Sequence, residues 1–253
     1  MPGEAAAARR DPTADWRQFK TEHFIVIHPA ASADQAGRAA SAAERLFPRV
    51  RALLGWAPPG RTPLVINPHT DESNGYAQGI FRKLEIFTAP PLTEVAAGDP
   101  PWFEYVLAHE LAHLCHGLRA EGLTKTLTTA FGEINALNFV APRWWVEGVA
   151  IYTETVLSEG GRGRSAYARA QLDSRVLTDR PWSLAQIGTS PHGIRPRNRV
   201  YVPGYDIIRG AAARAGPDVL DRLSARQSAW PLLGLEQGWR DVTGRGLEEA
   251  WAE

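Results

Sequence analysis

The 253-residue chain holds one cysteine, Cys115, and one methionine. A lone thiol excludes an intramolecular disulfide and a cysteine-rich metal cluster, so any bound metal must be held by His, Asp or Glu. Excess charge of either sign is also lacking, because Lys plus Arg and Asp plus Glu both total 28. With no basic field, nucleic-acid binding is disfavoured. No apolar run approaches the roughly 20 residues needed to span a bilayer, so a soluble chain is expected. The opening "MPGEAAAARRDPTADW" also lacks the apolar centre of a signal peptide. A chain of this length buries a substantial core, as one large domain or two modest ones.

Residues 1–15, and composition as far as about Arg17, read as a loose leader rich in Ala, Pro and charge. "EHFIVIH" is apolar on both faces and predicts a covered strand. Ala33 to Leu54 has helical apolar spacing, with Pro48 a point of disturbance and Gly55 a stop. "TPLVINP" and "LEIFT" are the next strands, separated by the turn residues of "DESNGYAQG" and closed by Pro90 and Pro91. From about residue 100 helical periodicity takes over. Helices are expected over Pro101 to about Leu118, Arg143 to about Glu159, Ala166 to Leu172, Gly204 to Ala215, Pro217 to Arg226 and from Leu247. "GGRGRS" reads as a flexible, solvated loop, with contact to an anion the alternative. No repeat or low-complexity linker divides the chain, so residues 16–253 are expected to form a single domain of two lobes, a strand and helix lobe over about 16–99 and a helical lobe over about 100–253.

The chemistry concentrates in "VLAHELAHLCHG". His109 and His113 are four residues apart, so on a helix they lie about 40° apart around the axis and one turn along it. Both imidazoles can reach one ion, which is how the H-E-x-x-H pattern holds zinc with its glutamate as general base. Glu110 takes that position. A catalytic zinc site needs a third protein ligand and one position left for water. His116 shares the face but sits about 10.5 Å along the axis from His109, too far to converge on the same ion. It is expected to line a pocket or support a ligand, or to be an ordinary core histidine. The better third ligand is Glu147 in "PRWWVEGVAIYTET", a carboxylate set among Trp144, Trp145, Val146, Val149 and Ile151. Buried there without a cation it would be costly. Gly148 beside it permits close approach of another backbone.

"HELAH" followed by "WWVEGVAIYTE" resembles the gluzincin metallopeptidases, whose second motif runs W-x-x-E-G-x-A-x-Y-x-E. Trp144, Glu147, Gly148, Ala150, Tyr152 and Glu154 match it in order. The resemblance implies an α+β, thermolysin-like zincin domain with one zinc per chain, held by His109, His113 and Glu147, and Glu110 as the base. It also implies an oxyanion-stabilising tyrosine in a Y-x-x-G stretch, here Tyr201 in "YVPGY", with Tyr205 the fallback and His192 a weaker alternative. Glu154 falls near the face of Glu147 and is placed to accept the free N–H of a ligand histidine, or to pair in solvent. The G-x-M-E-N amine-binding stretch of the aminopeptidases in this group is absent. "FRKLEIFTAPP" stands in its place, with Glu85 its only carboxylate, and no amine-binding role is carried over.

The long spacing between His113 and Glu147, with "TEHFIVIHP", "NGYA" and "VTGRGLEEAW", is more similar to bacterial gluzincin domains. Those are often exported and often joined to a β-propeller, of which no repeats are seen here. The expected activity is zinc-dependent hydrolysis of peptide or protein substrates, with an extended substrate adding to "LEIFT" as an edge strand. A silent zincin-like module that only binds a peptide or protein partner is the alternative. A structural zinc site, closed by His116, His69 or His192, is a third. Trp102 and Trp145 are the tryptophans expected to line the cleft. Cys115 is expected to face away from the metal.

Overall fold

The computed structural model describes residues 11–79, 82–89, 102–132, 137–189 and 196–252. His192 and the pair Pro90 and Pro91 lie outside them. The fold is α+β. A five-stranded mixed sheet runs in the order β1-β2-β3-β5-β4, and helices form the rest. Strands β1 (Trp16–Lys20) and β2 (Phe24–Pro29) are antiparallel, β2 and β3 (Thr62–Asn67) parallel, β3 and β5 (Lys83–Phe87) parallel, and β4 (Gly75–Gln78) lies antiparallel to β5. Trp16 and Arg17, which composition assigned to the end of the leader, are therefore in a strand. "LEIFT" is not an edge. β5 pairs on both sides, and the edge is β4, drawn from residues that read as a turn.

Helix α1 (Ala33–Leu54) crosses between β2 and β3 and buries Ala36, Ala39, Ala40, Ala43, Leu46 and Val50. Small side chains along that face let it lie close against the sheet and α2 (Trp102–Leu118). Pro48 sits inside α1 without breaking it because the ring faces solvent, where the carbonyl it deprives of a partner can bond water.

Helix α2 is buried on nearly every side. It packs between α1 and α4 (Arg143–Leu157), and α4 packs in turn on α7 (Tyr201–Ala215). Where α4 meets α7, a Cβ on Gly148 would stand 2.6 Å from the carbonyl carbon of Gly204, and one on Gly204 would stand 2.0 Å from the carbonyl oxygen of Trp144. Only glycine fits at either position, so the two backbones touch. Trp144, Trp145 and Trp239 form an edge-to-face cluster beside this crossing, with ring centroids 5.8–6.2 Å apart.

The remaining helices are α3 (Gly122–Phe131), α5 (Ala166–Leu177), α6 (Leu184–Gly188), α8 (Val219–Ala229), α9 (Gly234–Thr243) and α10 (Leu247–Ala252). Of these, α3, α6 and α9 were not expected, and α5 runs a turn beyond its predicted end. No helix among the described residues is long and apolar enough to cross a membrane.

Candidate metal centre

One apolar helix carries two of the site's side chains and a second faces it with the third. On α2, His109 Nε2 and His113 Nε2 stand 3.0 Å apart, as the four-residue spacing requires. From α4, Glu147 Oε2 comes within 3.6 Å of the first and 3.3 Å of the second. These three are brought together with ligand atoms all within 4.8 Å of one another, and no fourth His, Cys, Asp or Glu atom among the described residues joins them. A tetrahedral ion with bonds of about 2.0–2.1 Å keeps its donors about 3.3 Å apart, so the triangle has the size of a zinc site. The donors fit the ion chemically as well. Two imidazole nitrogens and a carboxylate oxygen, facing one another inside the protein, repel as lone pairs unless a proton or cation lies between them.

Around this triangle the charges are paired. Burial pushes the Glu147 carboxyl up, yet the His113 and His109 imidazoles hold it well below the carboxylate range. Its Oε1 accepts from Arg143 Nη2 at 2.6 Å. Behind His109, Glu154 Oε2 lies 2.8 Å from Nδ1. Nδ1–H donating there leaves the Nε2 lone pair for a metal. Glu154 is fully buried. Burial acts to raise its carboxyl, but Arg162 and His109 hold it at about 2. His109 is pulled down by burial and by the Arg162 charge, but hydrogen bonds to Glu147 and Glu154 outweigh both and raise it to about 9.

Arg162 was missed by sequence reasoning, which took "GGRGR" for a solvated loop. Gly161 adopts φ 99°, a region closed to most side chains, and packs against Thr155. This turn carries the guanidinium under the site, where it donates to both oxygens of Glu154. The available signal was Glu154 itself, since a carboxylate predicted to face a buried helix demands a cation.

A cavity of about 670 Å³ opens on the triangle, walled by β4, α2, α4 and the start of α7. Glu110 lines it, with no hydrogen-bonding partner among the described residues. The close approach of β4 sets its place, because a Cβ on Gly75 would stand 2.9 Å from Glu110 Cγ. Tyr201 and Trp102 line the cavity too. The Tyr201 hydroxyl is raised by burial and by the Glu147 charge, so it stays protonated. Tyr205 packs instead against Tyr152 and Gly163.

Two expectations are corrected, Trp145 in the cleft and His116 at the pocket or a ligand; the other reading of His116, an ordinary core histidine, is the one found. Trp145 is fully buried and does not reach the cleft. His116 lines no part of the cavity; its Nε2 bonds Gln227 Oε1 at 2.8 Å, and Trp145 Nε1 donates to the same oxygen. Glu85 is tied to Asn67 and Lys83. His69 packs near Trp16 and is absent from the metal-competent cluster. Cys115 is buried, and burial pushes its thiol up to about 12.

No family model and no curated protein matches the sequence. Among solved structures, the chain is similar to an M1 zinc metallopeptidase variant from Deinococcus radiodurans bound to a Tyr-Ser-Ala substrate, at 13% identity and a TM-score of 0.47. That similarity covers 93% of this chain and 50% of the other, so the chain spans about half the length of the protein it matches.

Proposed function

We propose that this chain is a zinc-dependent peptide hydrolase of the gluzincin kind. The observation that carries the reading is the ligand-sized triangle of His109, His113 and Glu147, with Glu110 on the wall of the same cavity and without a hydrogen-bonding partner among the described residues. His109 and His113 would hold the ion through Nε2, and Glu147 through a carboxylate oxygen. Bound there, zinc would polarise a carbonyl and lower the pKa of water toward about 7.

Glu110 accepts a proton from the attacking water and returns it to the leaving amine. The Tyr201 hydroxyl donates a hydrogen bond to the oxygen that gains negative charge as the carbonyl is attacked. Glu154 keeps the His109 ring in the tautomer that leaves Nε2 free. An extended substrate pairs with β4, the last strand of the sheet among the described residues, whose Gly75, Tyr76 and Ala77 line the cavity. Backbone pairing ignores side chains, and Glu85 is engaged with Asn67 and Lys83, so neither calls for a free substrate amine.

The test is direct. Purified protein should carry one zinc per chain by elemental analysis, and Glu110→Gln should keep it while hydrolysis of an unfolded protein falls on the order of 10²–10⁴-fold. Equal cleavage by the two proteins would remove Glu110 from its role. Binding of peptides by wild type without shortening them would instead make the chain a docking module.

A further inference from the structure

Arg162 takes no part in the chemistry above, yet its guanidinium touches three groups of that site at once. Nε donates to Glu154 Oε1 at 3.2 Å and Nη2 to Glu154 Oε2 at 2.9 Å, while the Arg162 backbone N–H adds a bond to Oε1 at 2.8 Å. The same Nη2 lies 2.8 Å from His109 Nδ1. The cation sits 4.7 Å from the ring centroid of Tyr201 and 5.7 Å from that of Tyr105. All of this occurs at the wall of the cavity, which Arg162 lines.

The loop that presents Arg162 is anchored without its side chain. Arg164 donates to the carbonyls of Thr155, Ser158 and Gly160. Gly163 donates its N–H to Thr155 Oγ1 and packs against the Tyr205 ring. Ser165 caps α5 by accepting from Ala168 N. Replacing the Arg162 side chain therefore leaves the turn in place.

We propose that Arg162 is a positioning residue of the metal centre, a planar fork that fixes the Glu154 carboxylate against His109 and holds the Tyr201 ring at the cavity wall. The inference rests on the zinc hydrolase reading of the site. The terminal torsion of a carboxylate is soft, and without the guanidinium each Glu154 oxygen keeps a single bond, Oε1 from the Arg162 backbone N–H and Oε2 from His109 Nδ1. A planar fork across both oxygens adds a second bond to each, and the imidazole that Glu154 orients is held with it. Lysine carries the same charge as a point on a flexible stem and cannot meet both oxygens and a ring together. Neutralising Glu154 alone would not need a fork, so charge and shape can be separated.

The test uses the full chain and three readouts: melting temperature, the zinc Kd by competition with a chromogenic chelator, and kcat at saturating zinc. Arg162→Lys is expected to melt near wild type, bind zinc about 10–100-fold more weakly, and lose kcat at unchanged KM. In Arg162→Ala, millimolar methylguanidinium is expected to restore the Kd, and methylammonium is not. Wild-type Kd and kcat in Arg162→Lys would overturn the proposal, as would equal rescue by the two amines, since charge alone would then suffice.

If Arg162→Ala fails to fold because Glu154 loses its counter-charge, Arg162→Ala combined with Glu154→Gln removes the imbalance. A zinc Kd equal to that of Glu154→Gln alone supports action through Glu154; a further additive loss overturns it. Wild type that binds zinc tightly yet hydrolyses no peptide sinks the hydrolase reading only, and the Kd measurements still decide this one. Wild type that binds no zinc sinks both.

Discussion

Two histidines on the same helix, two turns apart and both buried, have opposite surroundings. His109 faces Glu147, Glu154 and Arg162, and its imidazole is raised to about 9. His116 faces the amide of Gln227 and the edge of Trp145, whose ring centroid is 5.5 Å away, and burial lowers it to about 4 against the opposing Gln227 bond. The Gln227 side chain completes a neutral network by donating from Nε2 to the Asn138 carbonyl. Spacing along α2 offers both residues to the interior. The partner helix decides the outcome: α4 answers His109 with carboxylates, and α8 answers His116 with an amide.

The largest effect should come from removing a ligand. His109→Ala or Glu147→Ala is expected to bring zinc content to background and abolish hydrolysis, while His116→Leu leaves zinc at the wild-type level by elemental analysis. Loss of zinc in His116→Leu would end the contrast.

Next comes the acid response. A histidine that binds its proton less readily folded than unfolded makes unfolding favourable as protons are added, so His116 contributes stability above pH about 6.5 that is lost as pH falls toward about 4. The loss is on the order of 3 kcal/mol, read as the difference in urea midpoint slope with pH between wild type and His116→Leu. His109 has the opposite sign in chelator-treated protein. Its contribution is complete below about 6.5 and lost as pH rises through about 9, so its imidazole proton resonances should titrate well above those of His116.

At neutral pH, His116→Leu should cost about 1–3 kcal/mol by chemical denaturation, because Gln227 loses a buried donor but keeps Trp145. The smallest change should follow Arg143→Gln. That side chain is 48% exposed where it meets Glu147, and solvent weakens exposed pairs to about 0.3–0.5 kcal/mol. Its zinc Kd should move far less than that of Arg162→Lys.

The candidate metal triangle was legible because each of its residues sits on a long, periodic helix: His109 and His113 through one-turn spacing, Glu147 through a carboxylate stranded among tryptophans. β1 was not, since every residue after Trp16 in it is exposed and no alternation marks it. β4 is four residues of turn-like composition held in the sheet by its pairing with β5. Reading the edge strand in "LEIFT" failed because Glu85 breaks the apolar run that marks a covered strand, although the strand is buried from Leu84 to Phe87. Helices α3 and α9 have strong one-sided patterns, but α3 is short and leaves Leu123 and Phe131 exposed. Arg162 depends on a glycine turn that folds back on Thr155, six residues before Gly161, a contact that no apolar periodicity encodes.

The contact of Gly148 with Gly204 lies one residue from Glu147 and three from Tyr201. The gap between carboxylate and phenol is thus a machined clearance, gauged by main chain against main chain. Anyone reshaping the cleft for bulkier cargo should leave that joint alone and recut the opposite jaw, where β4 and the loop of Asp71, Ser73 and Asn74 line the cavity.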